Sequence, residues 1–155
     1  MNEKKWLDGY DGQSVDELLG MEDEYRIDSL VLAFEEALQA QADTRKLTNE
    51  EWIVLAVEAL EREVNNGGYS QFFENTPEYL PIILDSLDRI GHTEAKAVTA
   101  DAIGYLGPDG PTPEGISEEI FESLNGCDER YFSSVGDLSA PLFTFIKNNR
   151  DKYSL

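Results

Sequence analysis

A chain of 155 residues with 32 acidic side chains, 12 basic ones, a formal charge of −20 and a single cysteine excludes several classes of protein. Its field repels nucleic acid and anionic membrane surfaces and attracts basic partners. One cysteine closes no disulfide within the chain and builds no CxxC site, and no apolar run approaches the ~18 residues that span a bilayer. The length suits one domain with its own core, and with no apolar stretch behind the charges of Met1-Asn2-Glu3-Lys4-Lys5-Trp6 the chain reads as soluble and cytoplasmic.

Residues 1–13, with Gly9, Asp11 and Gly12, lack periodicity and read as an arm or loop. Ser14 and Glu17 have capping-box spacing, and Leu18 and Leu19 give the apolar side of a short helix ended by Gly20. A longer helix is predicted from about Glu22 to Ala42 on the spacing of Ile27, Val31, Phe34 and Leu38. Glu22, Asp23 and Glu24 then favour its N-terminal dipole, and Asp28, Glu35 and Glu36 fall off the apolar stripe. Thr48 and Glu51 form a second capping box, opening a helix with Ile53, Ala56, Val57, Leu60 and Val64 inward and Glu50, Glu51, Glu58 and Glu61 on the other side.

That helix leads into the most specific stretch of the chain, Asn65-Asn66-Gly67-Gly68-Tyr69-Ser70-Gln71-Phe72-Phe73-Glu74-Asn75. Asparagine and glycine tolerate the left-handed backbone, so the helix is expected to stop and reverse there. Tyr69, Phe72 and Phe73 follow at helical spacing as an aromatic wedge into the core. Thr76-Pro77 restarts the chain, with Tyr79, Ile82, Ile83, Leu87 and Ile90 along the next helix. Thr93 is read as the cap of a helix to about Tyr105, and residues 107–115 as a loop rich in proline and glycine. Ile116, Ile120, Phe121 and Leu124 mark an amphipathic helix with Glu118, Glu119 and Glu122 outward, Asp128 to Phe132 a short helical turn, and residues 139–152 a closing helix. No stretch alternates as a strand does. The expectation is an all-α fold, a single compact domain of about six to eight helices over residues 14–155.

The residues offer little for catalysis. His92, the one histidine, lies at a helix junction and reads as a loop or capping residue, and Cys127 reads as an inert thiol. Asp8 to Gly12 lacks the ligand spacing of a calcium loop. No HExxH, Walker or dinucleotide-binding motif is present, and Asp85 and Asp88 read as a solvated helix face. The chain is therefore read as a non-enzyme, with no cofactor and no metal. Carboxylates one helical turn apart are separated by about 5.4 Å, whereas a DNA strand carries a charge every ~3.4 Å. One acidic helix is too sparse to imitate DNA, but two acidic helices, or a dimer aligning its acidic faces, approach the density of a duplex.

Three strings carry a resemblance: EREVNNGGYSQFFEN from Glu61 to Asn75, IGHTEAKAVTADAI from Ile90 to Ile103, and LNGCDERYFSS from Leu124 to Ser134. Together they resemble the bacterial DNA-mimic-protein family, over about Thr48 to Asn149. The motif residues are Asn65, Asn66, Gly67, Gly68, Tyr69, Gln71, Phe72, Phe73 and Asn75. In the third string the family's Leu-Asp lead-in is stretched to Leu124-Asn125-Gly126-Cys127-Asp128, and the role the resemblance implies for Asp128 to Phe132 is an internal anchor. It also implies a helical domain, open to homodimerisation, whose carboxylates imitate duplex phosphates and block a basic DNA-binding protein such as a transcription factor.

The contact is expected at Glu22, Asp23, Glu24, Asp28, Glu35 and Glu36, then at Glu50, Glu51, Glu58, Glu118, Glu119 and Glu122. Two other readings stay open: an immunity or antitoxin-like acidic protein that neutralises one basic effector, and a carboxylate-based metal hydrolase using Asp85, Asp88 or Glu61.

Overall fold

Two capping boxes and five further amphipathic segments become seven α-helices in the computed structural model, which describes residues 3–155: α1 (Val15–Leu19), α2 (Ile27–Ala42), α3 (Asn49–Asn75), α4 (Leu80–Arg89), α5 (Thr93–Leu106), α6 (Glu118–Arg130) and α7 (Ser139–Asn148). Short 3-10 turns at Pro77–Tyr79 and Arg150–Lys152 and a π turn at Tyr131–Val135 complete the regular structure. The fold is all-α, with no strand among the described residues. None of these helices is long and apolar enough to cross a membrane. Backbone contacts gather the chain into two units, one formed by the residues up to Glu58 together with Ser139–Leu155, the other by Ala59–Leu138.

In the first unit both caps form as their spacing predicts. Ser14 Oγ accepts from Glu17 N while Glu17 Oε1 accepts from Ser14 N, and Thr48 and Glu51 repeat the exchange at 2.8 and 3.0 Å. Each pair satisfies two backbone donors that a helix start leaves over. Helix α2 begins at Ile27, five residues later than its acidic run suggests. Lys5 pairs with Tyr25 in a parallel bridge, donating to Glu24 O at 2.9 Å and accepting from Arg26 N at 2.8 Å, and this extended pairing holds Tyr25-Arg26 out of the helix. The arm ahead of α1 is pinned further by Leu7 N to Ser29 Oγ and Tyr10 N to Glu36 Oε2. Helices α2 and α7 pack together, and Tyr153 sets its ring edge-on to Phe34 at 6.2 Å.

In the second unit the glycine-rich motif is a break inside α3. Asn65, Asn66 and Gly67 stay helical, and Gly68 alone leaves the helix, at φ 79° and ψ −178°. A single residue suffices because only glycine enters that region without steric cost. The break strands the N–H of Tyr69, and Asp128 of α6 receives it at 2.8 Å. A β-carbon on Gly68 would lie 2.8 Å from the Asp128 carboxyl carbon, so the anchor also requires glycine there. Across the break, Glu63 Oε2 accepts from Gln71 Nε2 at 2.6 Å and Asn75 Nδ2 at 3.3 Å. Tyr69, Phe72 and Phe73 are fully buried. Tyr69 meets Tyr131 edge-on at 5.9 Å, and its hydroxyl shares a hydrogen bond with Thr99 of α5 at 2.8 Å. The aromatic wedge of the sequence is thus what fixes α5 and α6 against α3.

The amphipathic helix marked by Leu124 and the short turn expected at Asp128 to Phe132 are continuous: Asn125-Gly126 lies within α6, which runs on through Arg130 into the π turn. Gly126 has an ordinary helical φ, and burial of Leu124, Cys127 and Tyr131 along one side outweighs the ~1 kcal/mol that a helical glycine costs. His92, rather than Thr93, caps α5: its Nδ1 accepts from Ala95 N at 3.0 Å while Nε2 faces Val135 O at 2.9 Å. Nδ1 as acceptor makes Nε2–H the donor to Val135, and both ring nitrogens are thereby engaged.

Candidate acidic interface

The two units divide the charge unequally. Residues 59–138 carry 16 acidic against four basic side chains, a net −12, and the rest of the chain carries 16 against eight, a net −8. The extra cations of the first unit sit beside the acidic residues expected to meet a partner. Glu22 pairs with Lys147, Glu24 with Lys5 at 3.0 Å, and Asp28 with Arg26 at 2.6 Å. Asp16 pairs with Arg150, whose hydrogen bonds hold its carboxyl below the usual aspartate range. Asp23 is exposed without such a partner among the described residues, and Glu36 is committed to Tyr10 N. Glu50 and Glu58 are half-buried.

Two residues expected at the interface are inside. Glu35 is 5% exposed and Glu51 is 0% exposed, so neither can offer a carboxylate to a partner. Glu35 follows Val31 by four and precedes Leu38 by three, which places it on the buried stripe of α2. Glu51 is the reciprocal residue of its capping box, and Arg45 meets it through both terminal nitrogens at 2.9 and 2.6 Å. Burial pushes its pKa up, but the Arg45 guanidinium and the N–H groups of Thr48 and Ser154 outweigh that and hold it low.

In the second unit Glu118, Glu119 and Glu122 are exposed on α6 as expected, and none has an ion pair among the described residues. Glu129, which the sequence reading did not single out, joins them. The only basic residue of this helix, Arg130, turns to Asp101 of α5 at 2.6 Å, leaving the carboxylates unopposed. Phe121 is 47% exposed and Phe132 56%, although Phe121 was expected to face inward. Ile120, Leu124, Cys127 and Tyr131 step by four, three and four, so they define the inner stripe and leave Phe121 off it. That spacing was available in the sequence.

The chemistry-bearing side chains elsewhere are structural. Glu61 accepts from Tyr131 Oη and from Leu138 N at 3.5 Å, and burial pushes its carboxyl above the usual glutamate range. Asp88 pairs with Lys96 at 3.0 Å. Among the described residues no group of three or more histidine, cysteine, aspartate or glutamate side chains is placed to hold a metal ion. Cys127 is buried, and burial pushes its thiol up.

A family model described as DMP19-like protein matches residues 45–149. That span takes in α3 to α7 and the whole of residues 59–138. No curated protein and no solved structure matches the chain.

Proposed function

The chain belongs to the DMP19-like family, and from that premise we propose that it is an acidic decoy which occupies the DNA-binding surface of a basic protein and keeps it from DNA. The family's name designates a DNA mimic rather than a known kind of enzyme. The observation that carries the reading to this chain is the charge of residues 59–138, the unit lying wholly inside the match: −12, with Glu118, Glu119, Glu122 and Glu129 of α6 exposed and without an ion pair among the described residues. A core motif can preserve a fold while the surface changes its role, so family membership alone would be weaker support. Here the surface itself has the required sign.

The partner is a DNA-binding protein such as a transcription factor, and the interaction is electrostatically steered. Association should slow as salt shortens the Debye length from about 10 Å at 0.1 M to about 3 Å at 1 M. The test starts with capture of host-lysate proteins on the immobilised chain and elution with a salt gradient. Each captured protein is then bound to its own labelled DNA and titrated with the chain. The expected result is release of DNA at stoichiometric chain and low salt. Captured proteins that hold DNA and the chain together, or that bind no DNA, overturn the proposal.

A further inference from the structure

Helix α6 is inward along Ile120, Leu124, Cys127 and Tyr131, and this leaves an outer face of a particular composition. At about 100° per residue, Glu118, Phe121, Glu122, Asn125 and Glu129 fall within an arc of roughly 100°. All five are exposed, and Phe132, at the start of the π turn, is exposed beyond them. Two phenyl rings three turns apart, about 16 Å along the axis, therefore bracket Glu122 and Glu129, with Glu118 one turn beyond Phe121. Exposed single apolar residues are ordinary, but here two lie on one strongly acidic strip.

Charge alone does not account for this strip as a copy of DNA. Counting Glu119, α6 exposes four carboxylates over the 12 residues from Glu118 to Glu129, where a duplex of the same length carries about ten charges. A partner docking here meets less than half the charge of a duplex, and the rings are what the strip adds. Guanidinium groups suit both components: they fork onto carboxylates and lie flat on aromatic faces, which an ammonium group does less well. With Arg130 drawn off to Asp101, no cation on this helix competes for the site.

We infer that the outer face of α6, with Phe121 and Phe132 as anchors, Glu122 and Glu129 between them and Glu118 one turn beyond Phe121, docks an arginine-bearing helix about three turns long on the partner protein. The inference rests on the decoy reading and names its contact surface. It makes arginine rather than general basicity the feature that is recognised. The acidic residues of the first unit then contribute long-range attraction and no specific contact.

The probe is a fluorescent 18-residue alanine-based helical peptide with arginine at every third or fourth position, and its lysine counterpart, titrated with the full chain and followed by anisotropy. Wild type should bind the arginine peptide several-fold more tightly. The double variant Phe121→Ala, Phe132→Ala should bind it about tenfold more weakly, about 1.4 kcal/mol, with the salt slope unchanged. The triple variant Glu118→Gln, Glu122→Gln, Glu129→Gln should flatten the salt slope. Asp85→Asn, Asp88→Asn, an exposed acidic pair on α4, should do neither. Equal binding of both peptides by wild type, an unaffected phenylalanine variant, or an α4 variant matching the α6 one overturns the inference. So does sedimentation showing a dimer that the phenylalanine variant dissolves, since the occupant would then be a second copy of the chain. If DNA displacement survives in the phenylalanine variant, the docking face is wrong and the decoy reading stands. If the peptide results hold but no partner loses DNA, the face is right and the decoy reading fails.

Discussion

Replacing Gly68 with alanine tests the argument that the break in α3 and its anchor on α6 are one device. At φ 79° and ψ −178° the backbone lies where a side chain costs about 1–3 kcal/mol. The new methyl would also sit 2.8–2.9 Å from the Asp128 carboxyl carbon and Oδ1. Asp128 must move, and the 2.8 Å bond it accepts from Tyr69 N is lost, at about 1.5–3 kcal/mol for a half-buried carboxylate. The expected loss is about 3–5 kcal/mol, a large share of the ~5–15 kcal/mol a domain has. Urea unfolding followed by far-ultraviolet circular dichroism measures it. In a double-mutant cycle, Asp128→Ala relieves the clash and has already given up the Tyr69 bond, so the combined variant should fall short of the sum by at least about 1 kcal/mol. A Gly68→Ala variant within about 1 kcal/mol of wild type, or strict additivity with Asp128→Ala, would refute the coupling.

Arg45→Met should be among the most damaging single changes in the first unit, because it leaves the wholly buried Glu51 without its guanidinium; a loss of up to about 3 kcal/mol in urea at pH 7 is expected. Because Glu51 is held below the ordinary value of 4.5, its contribution is present above that pH and fades as pH falls through the depressed value, so the difference between variant and wild type should shrink in acid. Glu61 has the opposite sign. Its raised pKa favours the folded state below the ordinary value of 4.5 and loses that advantage as pH rises through the raised one, so Glu61→Gln should flatten the decline in stability between those values. Some slope should remain in urea melts across that range, since Asp128 is raised as well, by burial.

How far each feature was legible depended on how far apart in the chain its causes lie. The caps at Ser14 and Thr48 were readable because donor and acceptor are three residues apart. The start of α2 was not, because Lys5 and not the local acidic run decides the conformation of Tyr25. The glycine motif announced a break without saying which residue makes it, since Gly68 is singled out by a carboxylate 60 residues later. The all-helical class was plain from periodicity. Among the acidic residues, exposure was legible where the apolar stripe beside them was unambiguous, as at Glu118, Glu119 and Glu122. It failed at Glu35, which shares a face with Val31 and Leu38, and at Glu51, whose cap role and burial go together.

The first unit is assembled from two separated stretches of chain. Arg45 donates to Ser154 O, Thr48 Oγ1 to Lys152 O, and Tyr153 Oη to Glu50 O, while residues 59–138 form their own unit between them. During synthesis, the residues up to Glu58 leave the ribosome with the ring of Phe34 lacking Tyr153 and the α2 surface lacking α7. They wait there while 80 further residues are made, an interval of about 4–16 s at 5–20 residues per second. The order of emergence therefore leaves the better-neutralised unit open until α7 and Tyr153 arrive, an interval in which a chaperone would have most to cover.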